Sequence, residues 1–198
     1  MAVNVALVVA SYVMGMFPTA ILVGRQTGHD PTREGSGNPG ATNVYRTSGR
    51  RAGLVVGIGD VAKGAIPTLV GLLVDGRPLA AACWVAAVLG HVLPLTRRLR
   101  GGKGVATAAG GVLVLLPIVA LCCGVIFGLT IKLTRTASLG SILAFALGPV
   151  LVWAFGRPRW EVMVTIAVCA LVLGRHWSNL KRLVSGDEHV LRRAPRQG

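Results

Sequence analysis

Four short strings hold most of the chemistry this chain can offer. The first is Gly35-Ser36-Gly37-Asn38-Pro39-Gly40-Ala41-Thr42-Asn43, followed by Arg46. Its glycines let the backbone turn with positive φ and approach a ligand closely. Successive N–H groups in such a loop form an anion-binding concavity. Ser36, Asn38, Thr42 and Asn43 add neutral hydrogen-bonding groups, and Arg46 adds a forked cation suited to phosphate. The second string, Arg100-Gly101-Gly102-Lys103-Gly104, runs into an apolar stretch from Val105. Arg97 stands where a Walker A loop needs Gly, so it is not one. It shares that loop's physics all the same: glycines, a lysine and the positive end of a helix dipole. The third, Gly59-Asp60-Val61-Ala62-Lys63-Gly64, sets Asp60 and Lys63 three apart inside an apolar span. They serve there either as a structural ion pair or as support for a phosphate site. The fourth, Arg175-His176-Trp177-Ser178-Asn179-Leu180-Lys181-Arg182-Leu183, puts His176 and Asn179 on one helix face with Arg182 close by. A histidine there can act as a base or as a hydrogen-bond donor. Trp177, Lys181 and Arg182 also fit an interfacial belt. Ser138 and Ser141 are a weaker signal, because hydroxyls in membrane helices mostly bond back to their own helix. His91, isolated near the end of an apolar span, reads as structural.

These strings favour phosphate-bearing anions, and the rest of the chain says where they meet them. Of the 198 residues, 53% are hydrophobic and only 14% charged, where a soluble domain carries about 25%. Lipid is therefore the main solvent expected. The net charge of +14 would suit nucleic acid, but the basic residues fall in short clusters between apolar spans and no reading module accompanies them, so none is expected to bind. Cys83, Cys122, Cys123 and Cys169 lie inside apolar stretches with no zinc or redox spacing, and the acids are few and scattered. Neither metal nor cofactor is expected.

Apolar spans fall near 3–24, 53–74, 79–95, 105–133, 137–155 and 160–175. The fourth is too long for one crossing. Gly110, Gly111 and Pro117 interrupt it, which predicts helices over 105–115 and 118–133. With two crossings there and the N-terminus outside, every Lys and Arg except Arg77, Arg157, Arg159 and the intramembrane Lys63 lies on the inner side. A single crossing would divide them almost evenly, so the positive-inside rule selects the first arrangement. The expected fold is thus an all-α integral membrane protein with seven transmembrane helices, N-terminus outside and C-terminus cytoplasmic. Residues 1–24 have no basic n-region and read as the first helix, not a cleavable signal. One domain spans 1–198, with a flexible basic tail from about residue 189.

GSGNPGATN with Arg46, GDVAKG, GHVLP, RGGKGVATAAG, RTASLGS and GRHWSNLKRLVSGDE resemble, in order, the blocks of the bacterial acyl-phosphate:glycerol-3-phosphate acyltransferase family (the PlsY type). The likeness runs from about residue 15 to 188. It implies an enzyme of the bacterial inner membrane, active at the cytoplasmic face. Acyl phosphate and glycerol 3-phosphate would give 1-acyl-glycerol 3-phosphate and phosphate, an early step of phospholipid synthesis. On that reading Ser36, Arg46, Lys103, His176 and Asn179 form the catalytic set. Gly35, Gly37, Asn38, Thr42, Asn43, Gly101, Gly102, Gly104, Ser141, Lys181 and Arg182 line the substrates, and Asp60, Lys63 and Glu188 support them. Two anionic substrates need converging cations and N–H donors, and an acyl phosphate is activated already, so no acyl-enzyme is required. The base is either His176 or a substrate phosphate oxygen. A monomer suffices, because one chain supplies the whole site. The rival reading is a transporter of phosphate or glycerol phosphate, but transporters build on internal repeats around a midplane site, and the sequence has no repeat.

Overall fold

The helix Pro117–Thr134 is highly apolar yet scarcely covered: in its most apolar window the mean hydropathy is 2.0 and 6% of residues are buried. Only a lipid surround reconciles those facts, since so much exposed apolar area has no counterpart on soluble proteins. The computed structural model describes residues 1–191, and all regular structure among them is helical. The order is α1 (Ala2–Gly15), α2 (Thr19–Gln26), α3 (Ala41–Ser48), α4 (Arg50–Val92), a 3-10 turn (Leu95–Arg97), α5 (Val105–Leu115), α6 (Pro117–Thr134), α7 (Ala137–Ala154), α8 (Arg159–Gly174) and α9 (Trp177–Ser185). Four helical runs are long and apolar enough to cross a bilayer, or five if α8 and α9, bent by 56°, make one broken span.

One of these runs, α4, is a hairpin. Asp75 and Gly76 leave helical geometry, and Gly76 takes a φ of 71°, which glycine adopts without strain. A Cβ on Gly71 would lie 3.0 Å from Ala80 Cα, whereas nine residues of straight helix span about 13 Å. The expected spans 53–74 and 79–95 are the two arms of this hairpin, the second ending at Val92. The expected break near Pro117 is also there. Leu116 is non-helical and Pro117 opens α6, where its missing N–H costs nothing.

Three expectations change. The first span, 3–24, is two helices with a bend at Phe17-Pro18. The glycine-rich string is loop only to Gly40, because Ala41 starts α3 and carries Thr42, Asn43 and Arg46 on a helix. The last span ends at Gly174, so His176 caps a separate helix and Asn179 lies within it. In addition, His189 and Leu191 are tied by backbone hydrogen bonds: Arg46 donates to the His189 carbonyl at 2.8 Å, and the Leu191 N–H donates to the Arg135 carbonyl at 2.8 Å. The basic residues Arg192, Arg193 and Arg196 lie outside the described residues.

Short α5 sits against both arms of the hairpin. A Cβ on Gly64 would strike the Thr107 carbonyl, and one on Gly110 the Val61 carbonyl, so α5 and the first arm meet backbone to backbone. On the other side Gly111 faces the Trp84 ring, whose indole N–H donates to the Ala108 carbonyl at 3.1 Å. Trp84, Val88, Val92, Ala108, Leu115, Val152, Val168 and Val172 form the main apolar core. At the end away from Lys103, Glu161 accepts from both Arg77 and Arg157, and Arg77 also reaches the Leu115 carbonyl at the end of α5. This packing fixes where α5 begins, and with it the loop carrying Lys103. Gly110→Val should force the two helices apart and lower stability by about 1–3 kcal/mol, the usual cost of overpacking; thermal unfolding in detergent measures it.

Candidate functional site

At one end of the bundle, the 27–40 loop, the 93–104 loop and α9 enclose a cleft of about 940 Å3. Its charged lining is wholly cationic: Arg33, Arg97, Arg98, Arg100, Lys103, Arg175 and Arg182, with Ser36, Gly37, Asn38, Gly101, Trp177 and Ser178 between them. Such a wall concentrates anions, because like charges around a low-dielectric cleft focus their field.

The 100–104 loop is shaped by what lies under it. Gly101 and Gly102 donate their N–H groups to the carbonyls of Val92 (3.1 Å) and His91 (3.2 Å). A side chain on either glycine would collide with His91, through its carbonyl or its ring. Those two N–H groups are thus spent on α4; their glycines serve close approach, not a phosphate nest. Gly104, with a φ of 85°, turns the chain into α5. Arg175 clamps the loop from the far side, donating to the Gly101 carbonyl at 3.2 Å.

Lys103 Nζ hydrogen-bonds the Asn179 side-chain oxygen. The Asn179 amide donates to Glu188 at 2.8 Å, and Arg182 Nε donates to the other Glu188 oxygen at 3.0 Å. This chain joins the glycine loop, α9 and the segment after α9. Burial pushes the Lys103 amine down to about 8, helped by Arg182, Arg46 and Arg175 and opposed by Glu188. For Glu188, burial acts upward, but the bond from Asn179, the neighbouring Ser138 hydroxyl and Arg182 outweigh it and hold the carboxyl below its ordinary range. His176 is almost wholly buried. Its Nδ1 lies 2.8 Å from the Val172 carbonyl; a carbonyl only accepts, so Nδ1 carries the proton and Nε2 offers a lone pair. Burial pushes this ring down to about 4 despite that bond, so it is neutral at physiological pH.

The structure distributes the other expected residues unevenly. Ser36, Gly37, Asn38, Gly101, Lys103 and Arg182 line the cleft. Asn43 instead organises its loop: its oxygen accepts the Ser36 N–H, and its amide donates to the carbonyls of Pro31 and Glu34, each at 2.9 Å. A Cβ on Gly35 would strike the same side chain. Arg46 Nε is buried with no protein partner. Thr42 is half-buried in the first turn of α3. Lys181 lies over the exposed Trp177 ring, 5.7 Å from its centroid. Ser141 bonds back to the Ala137 carbonyl at 3.0 Å, whereas the Ser138 hydroxyl is buried beside the Glu188 carboxylate. Asp60 and Lys63 are paired at 2.9 Å, away from the cleft. Sequence reasoning took Arg97 and Arg98 only as topology signals, and gave Arg100, in the glycine string, no role of its own. Their aim into the cleft depends on Arg98 and Leu99 adopting left-handed φ of 50° and 61°, which non-glycine residues seldom do and which no local motif announces. Among the described residues, no three His, Cys, Asp or Glu side chains converge as metal ligands.

The protein-family model for glycerol-3-phosphate acyltransferase matches residues 5–186. The chain is 40% identical over 191 residues to the glycerol-3-phosphate acyltransferase of Geotalea daltonii, covering 96% of this chain and 98% of that one. It is 42% identical over 186 residues to that of Pseudomonas paraeruginosa, covering 92% and 96%. Its fold is similar to crystal structures of PlsY (YgiH), an integral membrane glycerol 3-phosphate acyltransferase. The glycerol 3-phosphate form matches with a TM-score of 0.92 at 34% identity, over 96% of each chain. The lysophosphatidic acid form matches with a TM-score of 0.89 at 34% identity, over 96% and 95%.

A pH dependence follows from Lys103. The amine is charged below about 8 and neutral above it. A phosphate monoester, with its second ionisation near 6, stays a dianion across pH 7–9. Its binding should weaken as pH rises through about 8, and Lys103→Arg should move that loss to higher pH; titration calorimetry across the range reads both.

Proposed function

The chain belongs to the glycerol-3-phosphate acyltransferase family, and from that premise we propose that it transfers a fatty acyl group from acyl phosphate to the 1-hydroxyl of glycerol 3-phosphate. The products are 1-acyl-glycerol 3-phosphate and inorganic phosphate. The observation that carries the reading is the cleft whose charged lining is all cationic, with Lys103 set against Asn179 at its edge. Both substrates of this reaction are phosphate anions, and such a cleft gathers both.

The glycerol hydroxyl oxygen bonds to the acyl carbonyl carbon as that carbon's bond to the phosphate oxygen breaks. The electron pair leaves with inorganic phosphate. The hydroxyl proton passes to a substrate phosphate oxygen, which titrates near neutrality. His176 is a poorer acceptor, since a ring held near 4 has little affinity for a proton at pH 7. Its unprotonated Nε2 instead orients a hydroxyl by accepting a hydrogen bond. Lys103 neutralises the phosphate of glycerol 3-phosphate and, with Arg46, the charge developing on the acyl oxygen. Ser36 and Asn38 supply neutral donors at the cleft wall. Phosphate leaves readily from a mixed anhydride, so the cations' task is placement and charge stabilisation.

The protein works as one transmembrane domain, sufficient as a monomer, with seven crossings: α1 with α2, the two arms of α4, then α5 to α8. The N-terminus is outside and the C-terminus cytoplasmic, and the cleft opens to the cytoplasm from the bacterial inner membrane. The hairpin in α4 and the break at Leu116 support that count, and the basic loops support the orientation.

Purified protein given labelled glycerol 3-phosphate should make lysophosphatidate with acyl phosphate and none with acyl-CoA. Product from acyl-CoA alone would overturn the donor, and uptake of glycerol 3-phosphate into proteoliposomes without acyl transfer would replace the enzyme by a transporter. In single turnover, His176→Ala should keep a rate within about 100-fold of wild type, below the usual full contribution of a general base. Lys103→Met should lose about 100-fold or more.

A further inference from the structure

Beneath the glycine loop lies a second polar cluster. Asp60 and Lys63, on the first arm of α4, are both buried and 2.9 Å apart. Lys63 also donates to the Phe17 carbonyl, at 3.0 Å, where α1 bends into α2. From the second arm, His91 brings Nδ1 within 3.1 Å of the Thr107 hydroxyl on α5 and 4.0 Å of Asp60 Oδ1. Its Nε2 edge abuts Gly102, and its carbonyl holds the Gly102 N–H. His91 therefore touches both arms of the hairpin, α5 and the loop carrying Lys103.

Stability alone does not call for such a cluster. Charges inside a span are costly, and well-packed apolar side chains hold helices together as well as a buried ion pair does. Nor is the cluster fully satisfied by the protein. The Thr19 hydroxyl has no hydrogen-bond partner, and Thr19 and Asp60 both border a cavity of about 20 Å3, room for one water. Pro39 and Arg97 border both this cavity and the cleft, so the polar interior continues to the back of the site.

We propose that Asp60, Lys63 and His91 are positioning residues that hold the glycine loop 100–104 where Lys103 meets Asn179. The proposal rests on the reading of Lys103 as a contact to the phosphate of glycerol 3-phosphate. Displacing the loop should therefore raise KM for that substrate and leave KM for acyl phosphate, which binds largely through its tail, nearly unchanged.

The test is a double variant, Asp60→Asn with Lys63→Met, which removes both charges together and nearly preserves volume. It is purified beside wild type, its thermal unfolding is recorded, and both substrates are varied in turn. The expected result is folded protein with KM for glycerol 3-phosphate raised roughly tenfold or more, as small displacements of a substrate contact produce, and KM for acyl phosphate within about threefold. An unchanged KM for glycerol 3-phosphate, or equal losses for both substrates, overturns the proposal. If the double variant does not fold, Thr107→Val, which removes only the hydroxyl beside His91, decides in its place: a selective rise in the same KM supports the proposal, and no rise overturns it. Wild type separates the two claims. Without acyl transfer by wild type, the reading of function fails; with it, unmoved constants in the variants sink only the positioning role.

Discussion

Crowding many cations around one cleft is unfavourable unless an anion or a hydrogen-bond acceptor offsets it, and the hydrogen-bonded chain Lys103–Asn179–Glu188–Arg182 meets that need. Glu188 takes a donor on each carboxylate oxygen and so fixes the chain segment after α9 against the helix. Asn179 transmits the link to Lys103 without neutralising it. The lysine thus keeps a charge that burial disfavours, and a second anion entering the cleft can relieve that cost. Substrate binding and the stability of the empty site draw on the same electrostatics.

Helix packing fixes the lysine's position. The glycine contacts between α4 and α5 set the height of α5 against the hairpin, and the close fit of Gly101 and Gly102 on His91 sets the loop leading into it. Lipid cannot drive such packing by hydrophobic burial, since the surround is as apolar as the helices. Close backbone approach and buried hydrogen bonds, such as that from Trp84 to Ala108, take over that role.

What could be read from the sequence tracks what is local in space. Pro117 announces its break because its ring constrains its own backbone, and the gap between the spans 53–74 and 79–95 falls where the hairpin in α4 turns. Lys103, Asn179 and Arg182 were legible as cations and amides beside apolar spans. The bends at Phe17-Pro18 and between α8 and α9 were not, since continuous hydropathy runs across the first and helical periodicity across the second. Asn43 was read as a substrate contact because an amide in a glycine loop suits either task; its three partners at Pro31, Glu34 and Ser36 come into view only once the loop closes. The choice of Ser141 over Ser138 likewise turns on helix rotation, as one hydroxyl meets its own backbone and the other does not.

The central claim is that Lys103 holds the phosphate of glycerol 3-phosphate in this cleft. Equilibrium binding of glycerol 3-phosphate to wild type and to Lys103→Met, in low salt near pH 7 without acyl donor, tests it most directly. The account predicts that the variant, still folded, binds at least about tenfold more weakly, as loss of a charge-assisted hydrogen bond implies. Equal affinity in the two proteins would contradict it and place the phosphate elsewhere.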